Sequence, residues 1–297
     1  MSEARVEICP DELEAHHIEQ YDALGYVAFE HVLSAQQVDE ARGALARVVH
    51  AMMAGVERGT SRVEPAPPGA TRNYAGPRVV DASSPCALHF EADVDPLQLD
   101  AERAEYAFRK VHNYHEADPV FRRLVDLPRI RGFLSQLVGQ EMLLKDVMAL
   151  SKPPHIGSEK PWHQDNAYFN WLPLEALGTV WIALDDATID NGCMHLLPGQ
   201  HRRGPLRHHH TIDCEIVADR LDVSQAIPIE LKAGGALFFS ALLPHQTPAN
   251  VSPERRRALQ FQYRGIHAYQ VSPQEFGKVF AEADGTPASC ALAHENG

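Results

Sequence analysis

His163-Gln164-Asp165, followed by His245 and then Arg256, are the residues of this 297-residue chain best placed to do chemistry. Two imidazoles and one carboxylate can hold one face of an Fe(II) ion and leave its other positions open to incoming ligands. His163 and Asp165 are two positions apart, so on an extended strand both side chains point to the same side. His245 lies 80 residues past Asp165, which leaves the fold to close the set. Arg256 comes eleven residues after His245. Its planar guanidinium can pair both oxygens of a carboxylate, a geometry that lysine lacks.

The bare tripeptide is weak evidence. Histidine fills 17 positions, so a His-x-Asp arises readily by chance and by itself reads as a surface pair. The surroundings change that weight. Lys152-Pro153-Pro154-His155-Ile156-Gly157 precedes Trp162-His163-Gln164-Asp165, and Tyr168-Phe169 follows it. Further on come Trp181-Ile182-Ala183-Leu184-Asp185-Asp186-Ala187-Thr188 and Asn191-Gly192-Cys193-Met194-His195-Leu196-Leu197-Pro198-Gly199-Gln200-His201.

With these blocks the chain resembles the phytanoyl-CoA dioxygenase family of Fe(II)/2-oxoglutarate oxygenases, over roughly residues 15–270 and most strongly from Lys110 to Arg264. The resemblance implies a double-stranded β-helix (a cupin-like jelly roll) with helices on its outer face. It implies Fe(II) on His163, Asp165 and His245, 2-oxoglutarate as cosubstrate and O2 as oxidant. Arg256 matches the arginine that pairs with the far carboxylate of 2-oxoglutarate, and Thr247 a hydroxyl near it. Lys110, Met148 and Trp181 match further cosubstrate-lining positions. Tyr168, Asn166 and His195 are candidate substrate contacts. Arg255 and Arg257 flank Arg256, would point away from it on a strand, and are expected as solvated charges. Related halogenases carry a small residue where this chain has Asp165, so hydroxylation of a C–H bond is implied over halogenation.

Two other readings share the ligand types. One is a non-catalytic jelly roll that binds a metal or small molecule; the other is a zinc hydrolase, since zinc also takes imidazole and carboxylate. The Arg256 spacing and the Thr247 hydroxyl favour the oxygenase, because a hydrolase has no need of a dicarboxylate clamp.

Composition sets the class. A net charge of −13 argues against nucleic acid and anionic membrane surfaces as partners and otherwise reads as solubility alone, while a small-molecule substrate is what the resemblance implies. No apolar run approaches the ~20 residues that span a bilayer. The mixed-charge start, Met1 to Arg5, has no secretory pattern. Cys9, Cys86, Cys193, Cys214 and Cys290 are odd in number and irregularly spaced, which suits reduced thiols in a cytoplasmic enzyme.

The elements that must position the site read as one domain over 1–297. A helical N-terminal part covers 12–54: a helix over 12–24, a short strand from Gly25 to Phe29, and a helix from about Ala35 to Met53 capped by Ser34. The Pro- and Ser-punctuated stretch 56–100 reads as irregular, either a lid or a surface insertion. Asp118-Pro119 and Pro128 each open a helix. Short apolar runs then recur at Met142–Leu150, Thr179–Leu184, Met194–Leu197, Ile227–Leu231, Ala236–Phe239 and Leu259–Tyr263, giving a jelly-roll core over about 105–270. His208-His209-His210 reads as a loop over the site mouth, beside a basic cluster of Arg202, Arg203 and Arg207. Asp185-Asp186 reads as a solvated turn.

Overall fold

The computed structural model describes residues 4–66, 76–210 and 213–289. Cys290 and the 67–75 part of the 56–100 stretch lie outside the described residues.

Two β-sheets face each other. Across the larger the strands run Glu7–Ile8, Tyr26–Glu30, Ala236–Ser240, Leu177–Ala183, Arg256–Gly265, Met142–Lys152, Phe108–His112, Ala87–Phe90, Arg78–Asp81 and Ser61–Glu64. The smaller runs Ile227–Ile229, Met194–Leu196, His245–Thr247 and Lys160–His163. Neighbouring strands in both sheets are antiparallel, apart from the parallel edge pair Glu7–Ile8 and Tyr26–Glu30.

Alternation along each strand divides the large sheet into two faces. Val147, Ala149, Val180, Ile182, Leu259 and Phe261 pack outward, against Leu45, Val48 and Val49 of the helix Ala35–Arg58. Trp181, Ala183, Leu237, Phe239 and Ala258 pack inward, against Met194, Leu196, Ile227 and Ile229 of the small sheet. The central strand Leu177–Ala183 is therefore buried on both faces. The long helix begins where expected, with Ser34 Oγ accepting from the Gln37 amide and the Gln37 side chain returning a bond to the Ser34 amide. Gly25, at φ +82°, ends the first helix and turns the chain directly into Tyr26–Glu30. Pro119 and Pro128 open helical segments, the first capped by Asp118.

The stretch 56–100 differs from the irregular reading. Its described part contributes three strands, Ser61–Glu64, Arg78–Asp81 and Ala87–Phe90, that continue the large sheet as an antiparallel meander. The runs are short, and proline and serine between them mask their alternation, while Val79, Leu88 and Phe90 are fully buried. Thiol chemistry also departs in part: Cys9, Cys86 and Cys193 are free, whereas Cys214 is disulfide-bonded. Among the described residues no helix is long and apolar enough to cross a membrane.

Candidate active site

His163 ends one strand of the small sheet, and His245 begins the strand beside it. The two are directly paired in register, which puts the imidazoles side by side with ring centres 4.1 Å apart. Asp165 lies just beyond the strand, at the start of a short 3-10 turn, Asp165–Tyr168. The turn, rather than a continued strand, brings its carboxylate back to the histidines. Asp165 Oδ1 is 3.6 Å from Nε2 of both His163 and His245.

The free atoms of this triad are set by their other bonds. His163 Nδ1 lies 2.8 Å from the Pro161 carbonyl, and His245 Nδ1 lies 2.9 Å from that of Leu243. A carbonyl only accepts, so both imidazoles carry their proton on Nδ1 and direct the Nε2 lone pair inward. Thr179 Oγ donates to Asp165 Oδ2 at 2.6 Å, leaving Oδ1 for an ion. Burial holds the His163 pKa well below the ordinary imidazole value, and the neighbouring His245 pushes it the same way. The neutral form is the one that ligates.

A second cluster, Glu7, His16 and His17, has similar residue types but the wrong bonding. His17 Nδ1 accepts the Glu14 amide at 2.9 Å. Its proton therefore sits on Nε2, the atom facing Glu7 Oε2 at 3.5 Å, and no lone pair faces the cluster.

Between the sheets lies a cavity of about 260 Å³, lined by the triad together with Lys110, Met148, Tyr168, Thr247 and Arg256. Arg256 is 1% exposed, and burial lowers its pKa to about 10. Its Nη2 donates to the Gly192 carbonyl at 3.2 Å, while Nε and Nη1 are buried without a partner. Gly192 sits at φ +83°, and a Cβ there would come within 2.3 Å of the Pro248 carbonyl, so the arginine's support requires glycine. Lys152 completes this end, its Nζ held by the carbonyls of Ser158 at 2.5 Å and Thr247 at 3.3 Å.

Three expected residues lie elsewhere. Trp181 does not line the cavity; it is fully buried beneath Arg256, whose guanidinium carbon is 5.2 Å from its ring. Asn166 is buried and donates to the Leu174 carbonyl, bracing the turn. His195 also lies off the cavity, on the Met194–Leu196 strand, where its neighbour Met194 takes the inward position.

The flanking arginines point away from the cavity but are not solvated. Arg255 makes a two-pronged pair with Glu105, and Arg257 one with Asp185. Asp185 is thus a largely buried ion-pair partner, while Asp186 is exposed and pairs with Lys232. His208 is no mouth residue. Its buried Nε2 accepts the Gln164 amide at 3.0 Å, and the Gln164 side chain ties to Gly204, Leu206 and Leu242. This mesh fixes the His163–Asp165 turn. The basic cluster lies off the cavity too: Arg202 donates to the Asp22 carbonyl on the first helix, and Arg203 to Gln200.

Several site residues were not singled out from sequence. Thr179, Asp146, Gln260 and Gln262 occupy inward positions beside the triad. Alternation from Arg256 along its strand carries the signal for the two glutamines. Lys160, Asp213 and Tyr168 form a further cluster, with the Tyr168 hydroxyl donating to Asp213 Oδ1 at 2.8 Å and Lys160 bonded to both. Only the fold brings Asp213 to it.

Buried neutral imidazoles give the fold a pH dependence. Burial lowers His89 to about 3, His112 to about 2 and His208 to about 4. Unfolded, each would bind a proton near pH 6.5. Below that value the unfolded chain holds more protons, so stability falls as pH falls. The urea midpoint of the metal-free protein should be flat from about pH 8 to 7 and drop steadily below about 6.5. A midpoint unchanged down to about pH 5 contradicts this.

The comparisons with known proteins agree with this geometry. A family model described as Phytanoyl-CoA dioxygenase (PhyH) matches residues 21–258. Phytanoyl-CoA dioxygenase 1 from Oryza sativa subsp. japonica is 33% identical over 160 residues, 52% of this chain and 57% of that protein. The match thus spans little more than half of the rice relative. A phytanoyl-CoA dioxygenase domain-containing protein 1 homolog from Caenorhabditis briggsae is 24% identical over 88% of this chain and 92% of its own. Two solved structures share the fold. EvdO2 from Micromonospora carbonacea var. aurantiaca, complexed with 2-oxoglutarate, has a TM-score of 0.61 at 24% identity, covering 89% of this chain and 97% of that one. EctD from S. alaskensis with bound Fe has a TM-score of 0.63 at 17% identity, covering 88% and 80%. With its model matched over most of the length, the chain belongs to the phytanoyl-CoA dioxygenase family.

Proposed function

We propose that this protein is an Fe(II)- and 2-oxoglutarate-dependent dioxygenase that hydroxylates a C–H bond of a small molecule. The observation that carries the reading is Arg256, with two buried N–H groups lacking partners in the same cavity as the triad. A triad alone suits zinc equally. A buried guanidinium with unmet donors calls for an anion, and a carboxylate fits its planar fork.

The donor set fits both absent groups. His163 Nε2, His245 Nε2 and Asp165 Oδ1 would hold the ion, and Arg256 with Thr247 would hold the far carboxylate of 2-oxoglutarate. Bound Fe(II) with 2-oxoglutarate and O2 supplies the oxidising chemistry. The chain orients its partners and shields them from water. Thr179 keeps Asp165 to one donor oxygen, which preserves an open position. Lys152 donates to the Ser158 and Thr247 carbonyls and forms no ion pair among the described residues, and burial with Arg256 nearby holds its pKa well below the ordinary lysine value.

Succinate formation from 2-oxoglutarate, dependent on Fe(II) and ascorbate, tests the reading. Turnover supported by Zn(II) instead, or no consumption of 2-oxoglutarate, would sink it. In the same assay a free small molecule should stimulate turnover and an acyl-CoA should not. Coenzyme A is polyanionic, the chain carries −13, and the Arg202, Arg203 and Arg207 cluster lies off the cavity.

Thr179 gives a sharper prediction. Thr179→Val keeps shape and loses the hydroxyl. Fe(II) affinity should fall by roughly 10- to 100-fold, the usual effect of removing an outer partner, while Thr179→Ser should retain it. Anaerobic equilibrium dialysis reads both. Equal affinity in the valine variant would remove Thr179 from the site.

A further inference from the structure

The cavity has a second polar end. Asp146, Gln262 and Thr179 lie in one row across three adjacent strands, with Gln262 paired in register with both neighbours. Thr179 contacts Asp165, so this row begins at the triad. Gln262 lies six residues along the strand from Arg256, about 20 Å at the usual strand rise. The cosubstrate end and this end are therefore opposite ends of one face.

The polar atoms here are unmet. Gln262 is 3% exposed, lines the cavity, and its Oε1 has no partner. On the next strand His112, opposite Met148 and so one inward position nearer Arg256, also has a buried Nε2 without a partner and lines the cavity. Asp146 accepts the Val147 amide at 2.8 Å, and no ion pair to it is found among the described residues. A β-bulge at Lys145, where Gln262 and Tyr263 pair with Asp146 and Leu144, marks this edge.

These facts constrain the ligand. An apolar chain would leave Gln262 Oε1 and His112 Nε2 buried without bonds and would give the Asp146 carboxylate nothing beyond the Val147 amide, each a penalty. A cationic amine would satisfy the acceptors but would meet Lys110 in the same cavity and Lys145 beside Asp146. Neither lysine forms an ion pair among the described residues; Lys145 rests on the Phe169 ring, 3.3 Å from its centre. O–H groups supply donors with no positive charge. We propose that Asp146, Gln262 and His112 form the substrate subsite of this cavity and select an uncharged, hydroxyl-rich small molecule of the polyol or glycoside class. The role as substrate subsite rests on the oxygenase reading; the ligand chemistry stands on the cavity itself.

The test is calorimetric titration of the anaerobic protein, loaded with Fe(II) and 2-oxoglutarate. The probes are linear and cyclic polyols, methyl hexosides, straight-chain alkylamines and fatty acyl chains. At least one hydroxylated probe should bind saturably at millimolar concentration, and the amines and acyl chains should not. Gln262→Met, nearly isosteric, should weaken that binding by roughly 10- to 100-fold, and Asp146→Asn by about 10-fold. A cooperative thermal melt confirms that each variant is folded. Absence of binding by every hydroxylated probe, tighter binding of alkylamines, or an unchanged affinity in a folded Gln262→Met overturns the proposal. Succinate formation by the wild type is read separately. If it fails while polyols still bind, the oxygenase reading falls and the hydroxyl site stands.

Discussion

Fe(II) binding and turnover should both be lost in His163→Ala. Each ligand is one of three, so the loss should exceed the 10- to 100-fold typical of removing an outer partner. The fold should survive. The His163 imidazole hydrogen-bonds the Pro161 carbonyl two residues away and meets the Tyr168 ring edge-on, with centres 5.9 Å apart, and it lies outside the apolar clusters that hold the sheets together. His245→Ala should match it in activity but cost more stability. Its ring packs edge-on to Phe239, 4.8 Å between centres, and an aromatic pair of this kind contributes about 0.5–1.5 kcal/mol beyond the area it buries. Anaerobic dialysis of Fe(II), succinate formation and a thermal melt separate the effects. Near-normal turnover in either variant would overturn the ligand assignment. A collapsed melt in His163→Ala would mean that the imidazole also supports the fold.

The strands and helices were legible where a local signal existed. Alternation set Arg255 and Arg257 on the side away from Arg256, and Ser34, Asp118 and the prolines marked helix starts. The triad was legible because His163 and Asp165 are close in sequence and the neighbouring blocks carry a family resemblance. Three kinds of feature were not. The 56–100 strands are too short to declare a period between turn residues. Asp165 joins the site through a turn and not a strand, since a 3-10 turn and an extended pair both return a side chain to the same side. Long-range partners such as Thr179 for Asp165, His208 for Gln164, and Glu105 for Arg255 exist only once strands are paired. Trp181 shows the same limit from the other side. Its strand position faces inward, yet Arg256 lies over it and keeps it from the cavity.

The apparent Michaelis constant for 2-oxoglutarate should rise steeply in Arg256→Ala. Losing one member of a buried, hydrogen-bonded charge pair costs on the order of 2–5 kcal/mol, or roughly 30- to 4,000-fold. The arginine meets the conditions for the upper part of that range. It is fully buried, supported from below by Trp181 and at Nη2 by Gly192, and it holds two N–H groups in reserve. Arg256→Lys should recover little, because an ammonium cannot reproduce the two-pronged geometry. The neighbours provide the control. Arg255 and Arg257 are spent on Glu105 and Asp185, on the other side of the strand. Their alanine variants should leave the 2-oxoglutarate constant within about twofold and lower the melting temperature instead, since each removes the two-pronged partner of a largely buried carboxylate and leaves it one weaker ion pair, Glu105 with Arg257 or Asp185 with Arg42. A larger shift of that constant at Arg255 or Arg257 than at Arg256 would move the clamp by one residue. That result would contradict the strand register, in which Arg256 lies opposite Lys152 with both side chains on the cavity.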